Sequence, residues 1–509
     1  MRTEPKRFFA GSDFFRANRR RVRETPQSVH DGVRSASLDP GFDGEPPLSV
    51  AAAHWSTAFT RFGLGPRGQA PAPSGDPRAA LHAELDAPSA GVLAAPDLAS
   101  GIVDLATEME AAAQRAAQLK AEAAHPPAPM MSAPAQPKGP PPLARLFLAE
   151  ASARIGAAGA PSVGFVERLV AFWSNHFCVS AAKGAFDRAL AGAYEREAIR
   201  PHVLGRFADM LLAAEKHPAM LYFLDNAQSI GPDSPLGRAS HRGLNENLGR
   251  EIMELHTLGV DGGYSQADVT ELARMLTGWT AAPLNGRLGT PGAFAFNAAA
   301  HEGGPRRLLG KLYPAGGVEQ GEAALADFAR APATARHIAT KFARAFVADE
   351  PPPGLVARLA GVFARSDGDL RALARALIDD EAAWSAPPTQ IRDPWEMTMA
   401  AYRALGLGPD KAQRALYSMA LLGMPLWSPL GPNGFPVAAD AWLSPEGMKS
   451  RVDVAVALAR LAKDAGPPAE LIARVLPDAS EATRRTLLGA ESRPQAYALM
   501  ILAPEFQRR

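Results

Sequence analysis

Apolar residues recur at helical spacing through most of the chain. From 143 to 280, and again from 319 to 405, they lie three or four positions apart, which is the period of one face of an α-helix. One of these helices starts at Ser265, and Asp268 three residues later gives a capping-box-like start. The pattern predicts a mainly all-α fold, built as one large multi-helix domain.

The same spacing predicts the bounds of individual helices. They are 98–124, 161–178, 186–199, 201–216, 218–224, 244–258, 319–330, 332–347, 353–366, 368–379 and 394–405, with further helices in 447–509. Pro201 opens its helix in the first turn, where proline is favoured because the missing N–H has no helical partner there.

Segments rich in proline and glycine interrupt the helices. Residues 125–142 contain eight prolines, so they form neither a helix nor a central strand. Residues 281–318 are dense in Gly, Pro and Asn and predict a small β-hairpin or an ordered loop. Residues 421–446 predict another long loop. We therefore expect one helical domain over 48–509, interrupted by a Pro-rich loop at 125–142.

The N-terminus is basic. The first 25 residues hold eight Lys or Arg against three acids, and no apolar segment follows as a secretory signal peptide requires. We interpret 1–47 as a mobile tail, and we expect a cytoplasmic location. A surface that contacts nucleic acid or anionic lipid is the alternative role for this tail.

Composition excludes several classes of protein. The chain has 509 residues, with 54 Lys and Arg against 53 Asp and Glu, so no overall basic excess indicates nucleic-acid binding. A single cysteine, Cys178, excludes an internal disulfide framework and a Cys-based zinc site. No apolar run approaches 18 residues, so we expect no transmembrane helix.

Two predicted helices carry a polar residue inside an apolar stripe when residues are placed at about 100° apart. In 165–177, His176 falls in the middle of the stripe. In 244–258, Glu251 falls within an arc of aliphatic residues. In a third predicted helix, 332–347, Lys341 lies at the margin of the apolar stripe. Such residues need a partner or a function.

An ionised carboxylate among aliphatic side chains must be paired, hydrogen-bonded or bound to metal, or it must hold its proton. Glu251 therefore predicts a nearby partner. The candidates are His176, Lys341, Arg250 and Arg274. One interpretation is a general acid/base or metal site between facing helices, and the other is a buried ion pair that fixes helix register. For His176 the structural alternative is a hydrogen bond to a carbonyl.

Familiar catalytic motifs are absent from the sequence. There is no GxGxxG before a helix, no GxxxxGK[ST] and no CxxCH, so nucleotide-loop and covalent-haem functions lose support. Ser180 and Ser229 lack the context of a nucleophile elbow.

Several segments match a known family. The run ENLGREIMELHTLGV at 246–260, followed by GGYSQADVTELARMLTGW at 262–279, resembles the signature of the bacterial domain of unknown function 1800 family. The FWSNHF sequence at 172–177 resembles its FW-x-NHF motif, and 224–226 resembles its LDN turn. Further segments resemble other blocks of the family in order: 54–66, 301–310, 332–347, 423–436 and 503–506. The resemblance covers about 50–509.

The resemblance implies a helical bacterial domain. Members of the family are often exported and are often encoded beside a second, sulfatase-like family, so it also implies a partner of that kind. This chain departs from the family because it has no hydrophobic signal core. Either the chain starts elsewhere or this member stays in the cytoplasm. Arg306 stands where the family commonly has Lys.

The first functional hypothesis is an enzyme with a hydrolase-like site between helices 165–178 and 244–258. A divalent metal is the candidate cofactor. The predicted catalytic residues are Glu251 as acid/base, His176 as its partner, Asn175 as an orienting donor, and Asp225. The predicted metal ligands are Glu251, Glu254 and His301.

The second hypothesis is a non-catalytic binding or assembly protein. Its contact surfaces are the loops 125–142 and 421–446, with exposed aromatic residues as anchors. The predicted aromatic anchors are Trp427, Phe435 and Trp442, and the predicted binding residues as a whole are Arg250, Lys341, Trp427 and Trp442. The alternative for the tryptophans, and for Phe435, is that they hold a long loop against the core.

Overall fold

Helices account for most of the chain, as the apolar spacing predicts. The computed structural model describes residues 50–71, 73–124, 140–240, 243–463 and 465–509. Within these residues the mainly all-α class is confirmed. The predicted tail 1–47 and most of the predicted Pro-rich loop, at 125–139, lie outside the described residues.

The described helices have the following bounds. The first eleven are α1 Val50–Thr57, α2 Pro77–Asp86, α3 Gly101–Ala124, α4 Pro142–Gly159, α5 Phe165–His176, α6 Ala185–Tyr194, α7 Phe207–Lys216, α8 Pro218–Phe223, α9 Pro235–Ser240, α10 Asn247–Glu251 and α11 Gln266–Met275. The next six are α12 Val318–Arg330, α13 Pro332–Phe346, α14 Pro353–Arg365, α15 Leu370–Asp379, α16 Glu381–Ser385 and α17 Pro394–Leu405. The last six are α18 Ala412–Leu421, α19 Pro445–Leu461, α20 Pro468–Val475, α21 Glu481–Leu488, α22 Arg493–Leu502 and α23 Pro504–Gln507.

The region 279–313 contains short strands. β1 (Trp279–Ala281) pairs antiparallel with β2 (Phe294–Phe296), so that Trp279 lies opposite Phe296. β3 (Arg306–Leu308) pairs antiparallel with β4 (Lys311–Tyr313). The sequence predicts at most one small β-hairpin, and the described residues contain two short antiparallel strand pairs.

Three helices continue into a π-helical turn, at Ala58–Phe62, Glu195–Ile199 and Ile252–His256. A π turn contains one residue more than an α turn, so a wheel at about 100° per residue fails there. The predicted helix 244–258 is therefore α10 followed by a π turn, whose end is fixed by the Thr257 hydroxyl donating to the Ile252 carbonyl at 2.6 Å.

The predicted helix 201–216 starts later than expected. Its regular part is α7, which begins at Phe207. Before it, Arg206 forms an antiparallel bridge with Asp369, and the amide of Leu370 donates to the carbonyl of Gly205 at 2.9 Å. These long-range bonds hold Arg206 extended, and the chain before it forms a 3-10 helix at Arg200–His202 and a turn.

Aromatic contacts fix α5 between α13 and α7. Phe172 of α5 meets Phe342 of α13 edge to face, with ring centroids 5.3 Å apart. Trp173 of α5 lies 5.8 Å from Phe207 of α7, and Trp173 is 1% exposed. Burial of such a large side chain stabilises the fold by about 3 kcal/mol. The C-terminal end of α5 is thereby held in place.

Buried arginines donate hydrogen bonds to the carbonyls at the C-terminal ends of two helices. Arg403 of α17 donates to the carbonyl of Ala158 in the last turn of α4 and to the carbonyls of Pro161 and Ser162 just after it. Arg61 donates to the carbonyls of Ala383 and Ala386 around the end of α16, at 2.7 Å each. A helix C-terminus leaves carbonyls without helical donors and carries partial negative charge, so a guanidinium stabilises it.

Candidate functional site

Three predicted site residues line one open cleft of about 490 Å³: Asn175, His176 and Lys341. The cleft lies between the end of α5, one face of α13 and the loop before α19. Its other lining residues are Phe172, Arg344, Asp349, Glu350, Asn433, Phe435, Pro436, Val437 and Ala438. The end of α5, one face of α13 and part of the predicted loop 421–446 meet here, whereas the predicted site lies between helices 165–178 and 244–258.

His176 is a neutral imidazole with one unused nitrogen. Its side chain is 2% exposed, and Nε2 lies 3.1 Å from the carbonyl oxygen of His256. Because a carbonyl only accepts, Nε2 carries the proton and Nδ1 keeps its lone pair. Nδ1 has no hydrogen-bond partner within the described chain. Burial, reinforced by the charge of Lys341, lowers the pKa of His176 well below 6.5.

Lys341 is an amine without a counter-ion. It lies on α13 one turn before Arg344, and its ammonium forms no hydrogen bond or ion pair with the residues that the structure describes. Burial lowers the pKa of Lys341 from 10.5 to about 8. An unpaired, desolvated ammonium lowers the stability of the folded protein. Such a group is typical of a lysine that is retained for function.

The acids of the cleft do not neutralise Lys341. Asp349 accepts from the side-chain amide of Gln390 at 3.2 Å and from the backbone N–H of Ala439 at 3.1 Å, so it anchors the loop. Glu350 is exposed at the rim, as is Arg344. Lys341 is therefore an uncommitted charge on the α13 wall of the cleft, and Arg344 is a second cation at the rim.

Asn175 fastens the loop to α5. Its side-chain amide donates to the Phe435 carbonyl at 2.9 Å, and its side-chain oxygen accepts from the Phe435 N–H at 2.8 Å. Next to it, Gly434 has φ +74°, and a Cβ there would lie 2.5 Å from the backbone oxygen of Asn175. Only glycine fits this close approach. The predicted orienting residue therefore orients the loop.

Cys178 and Ser180, which follow α5, also form hydrogen bonds to this loop. The Cys178 thiol donates to the carbonyl of Pro432 at 3.3 Å, and burial raises the pKa of Cys178 to about 12. The Ser180 hydroxyl donates to the carbonyl of Pro429 at 2.8 Å. A protonated, hydrogen-bonded thiol is a poor nucleophile, so the contacts of Cys178 are structural.

A smaller cavity of about 90 Å³ lies behind the clamp of Asn175 and Phe435. The two cavities share the residues Phe172, Asn175, Phe435, Pro436 and Val437. On the inner wall, Glu195 pairs with Arg154 at 3.0 Å and with Arg200 at 3.1 Å. The inner cavity is thus a chamber with paired charges, separated from the cleft by the loop.

Behind His176 lies a buried carboxyl–imidazole pair that the sequence reasoning missed. Oε1 of Glu215 on α7 lies 2.7 Å from Nδ1 of His256, and both side chains are at most 1% exposed. The sequence contains an indication of this pair, because Glu215 follows Leu211 by four positions and so lies on the apolar face of α7. The pair fixes the π turn whose carbonyl holds His176.

Glu251 is half-buried and has no hydrogen bond or ion pair among the described residues. Burial raises the pKa of Glu251, and among the described residues none of the predicted partners (His176, Lys341, Arg250 and Arg274) forms a hydrogen bond or ion pair with it. Arg250 instead pairs with Glu246 at 3.3 Å. Neither Glu251 nor Glu254 lines the cleft of His176.

Asp225 and His301 lie apart from this cleft. Asp225 pairs with Lys183 at 2.7 Å, and both ring nitrogens of His301 face backbone carbonyls, those of Thr277 and Gly316. In the described ranges no group of three or more His, Cys, Asp or Glu side chains is arranged to hold a metal ion. The predicted set of Glu251, Glu254 and His301 is not brought together there.

The two predicted tryptophan anchors are interior residues. Trp427 is 9% exposed and donates from its indole to Glu195 at 3.0 Å. Trp442 is 8% exposed and packs with Ile391 and Ala439. These contacts support the alternative interpretation, in which the tryptophans hold the loop against the core.

Comparisons with known proteins identify the family. A family model described as a protein of unknown function, DUF1800, matches residues 57–508, and the chain belongs to this family. The resemblance inferred from the motifs is therefore confirmed. No curated protein and no solved structure matches the chain. Among the described residues, none of the helices is long and apolar enough to cross a membrane.

Proposed function

We propose that the cleft of His176 and Lys341 binds a small molecule with an anionic group, on which the protein acts as an enzyme. The observation that carries this proposal is the unpaired ammonium of Lys341. A largely buried cation without a partner is costly, and an anionic ligand would relieve that cost. Arg344, one turn further along α13, adds a second cation for a carboxylate or phosphate.

The test is calorimetric titration with acetate, glycolate and inorganic phosphate. We expect one site per chain for at least one of these anions. Lys341→Gln should weaken binding roughly tenfold or more, because a charge-assisted hydrogen bond contributes about 1.5–3 kcal/mol. Lys449→Gln is the matched control, since Lys449 is exposed. Absence of binding by all three anions would contradict the proposal.

Hydrolysis is a second candidate reaction, and the unprotonated Nδ1 of His176 favours it. Such a nitrogen has the lone pair that a general base needs, and water must reach this buried atom before it can be activated. We expect turnover of p-nitrophenyl esters to disappear in His176→Gln. The same assay on Glu251→Gln, with and without a chelator, tests the predicted acid/base carboxyl and the predicted metal ligands Glu251, Glu254 and His301.

An assembly role with a sulfatase-like partner is a further proposal. Exposed apolar residues on α18, on α19 and in the loop between them support it better than the buried tryptophans do. They are Tyr417, Leu421, Leu430, Leu443, Met448 and Val452. Co-purification of the two purified proteins tests this role, and replacing Leu430 with Ser should weaken the complex.

A further inference from the structure

The outer cleft offers one uncommitted nucleophile that solvent reaches, the amine of Lys341, because the free nitrogen of His176 is fully buried. Its lining has no Ser, Thr, Cys or Tyr side chain, and its acids are the loop anchor Asp349 and the exposed Glu350. The nearby thiol of Cys178 is engaged with loop carbonyls, and the hydroxyl of Ser174 donates to Glu195 at 2.9 Å. Covalent chemistry at this place therefore falls to Lys341.

We propose that Lys341 is an imine-forming amine whose substrates are small carbonyl compounds with a carboxylate, such as 2-oxo acids or aldehyde acids. This inference rests on the proposed function, because the carboxylate is the anionic group that the cleft binds. It goes further by naming the substrate class and the bond that forms. Arg344 pairs with the carboxylate, and its position one turn along α13 leaves Lys341 free for the carbonyl.

The surroundings of Lys341 favour a reactive amine. The side chain forms no hydrogen bond or ion pair with the described part of the chain, and Phe172 lines the same cleft. With a pKa of about 8, roughly a quarter of the amine is unprotonated at pH 7.5, against roughly 0.1% for an ordinary lysine. Desolvated lysines of this kind form Schiff bases in enzymes.

The bond changes balance without a further reactant. The lone pair of Nζ attacks the carbonyl carbon, a C–N bond forms, and the oxygen takes up a proton. The C–O bond then breaks and water leaves. Counted from the ammonium, two of its three protons leave in that water and the third stays on the iminium nitrogen. Water in the open cleft accepts the first proton and returns it to the departing hydroxyl.

The experiment is reductive trapping of the full chain with glyoxylate and borohydride at pH 7.5, followed by peptide mass spectrometry. We expect one reduced adduct per chain on Lys341, formed roughly tenfold faster than any adduct on the exposed Lys449. Arg344→Gln should slow trapping by glyoxylate and leave trapping by acetaldehyde unchanged. Lys341→Arg keeps the charge, so it should abolish the adduct and retain binding of glycolate, and Lys341→Met serves as a second variant.

The outcomes separate the two proposals. Binding of glycolate and glyoxylate without an adduct on Lys341 overturns the imine and leaves the anion-binding function standing. No binding of either compound overturns both. Labelling of Lys341 and Lys449 at equal rates also overturns the imine, because the cleft then gives the amine no advantage.

Discussion

Oε1 of Glu215 lies 2.7 Å from Nδ1 of His256, and solvent reaches neither side chain. The backbone carbonyl of His256 in turn accepts from Nε2 of His176 at 3.1 Å. The orientation of the His176 imidazole therefore depends on the carboxyl group of Glu215, which acts on it through His256.

Glu215→Ala should destabilise the protein by about 3 kcal/mol, since it leaves a buried imidazole N–H unpaired. Glu215→Gln keeps an acceptor for that N–H and should cost about 1 kcal/mol. Urea denaturation measures both. Glu470→Gln, at an exposed position, is the control. Equal stability of the Ala variant and the unmodified protein would contradict the role of the pair.

Asn175→Ala should free the loop before α19. The variant loses both hydrogen bonds to the Phe435 backbone, so we expect a loss of about 1–2 kcal/mol and faster amide exchange at 431–438. Hydrogen exchange with mass spectrometry measures this. Asn433→Ala changes an exposed residue of the same loop and should leave the exchange rates as they are.

Gly434→Ala should reduce stability more than Gly466→Ala does, although both glycines have a positive φ. Gly466 has φ +92° with no atom within 4 Å of an added Cβ, so Gly466→Ala should cost about 1 kcal/mol from backbone strain alone. In Gly434→Ala the Cβ also meets Asn175 at 2.5 Å, and we expect a loss of roughly 2 kcal/mol or more. Thermal unfolding of both variants gives the comparison, and equal losses would argue against the close contact.

Lys341→Met should stabilise the protein without ligand, on the order of 2 kcal/mol at pH 7. The folded state lowers the pKa of Lys341 from 10.5 to about 8, so below pH 8 the buried ammonium costs stability. Between pH 8 and 10.5 the folded protein releases the proton earlier than the unfolded chain, and that cost disappears. The advantage of Met should therefore shrink as the pH rises.

Denaturation at pH 7.0 and 9.5 measures this difference, with Lys449→Met as the control. A Met variant that is less stable at pH 7 would show that Lys341 has a stabilising partner after all. A gain in stability that accompanies a loss of ligand binding is the usual mark of a residue kept for function.

Much of the architecture follows from local sequence. Ser265 and Asp268 form the predicted capping box, and the helix predicted at 394–405 is α17 at those bounds. Apolar spacing also brought His176 and Lys341 to notice, because each departs from its stripe. Such features depend on neighbours within a few residues, and a single sequence contains that information.

The remaining features depend on distant contacts. The clamp joins Asn175 to Phe435, and nothing local to either residue indicates the other. The π turn moves His256 off the α-helical wheel and towards Glu215 on another helix. The wheel therefore drew attention to Glu251, whereas the fully buried carboxyl is Glu215.

The π turn at Ile252–His256 behaves as a one-residue insertion within an otherwise ordinary helix. Deleting one residue there would let α10 wind on as a regular helix, and every later side chain would rotate by about 100°. His256 would then leave Glu215, and the carbonyl that holds His176 would turn away. The length of this short segment is thus as decisive for the cleft as the identity of any residue that lines it.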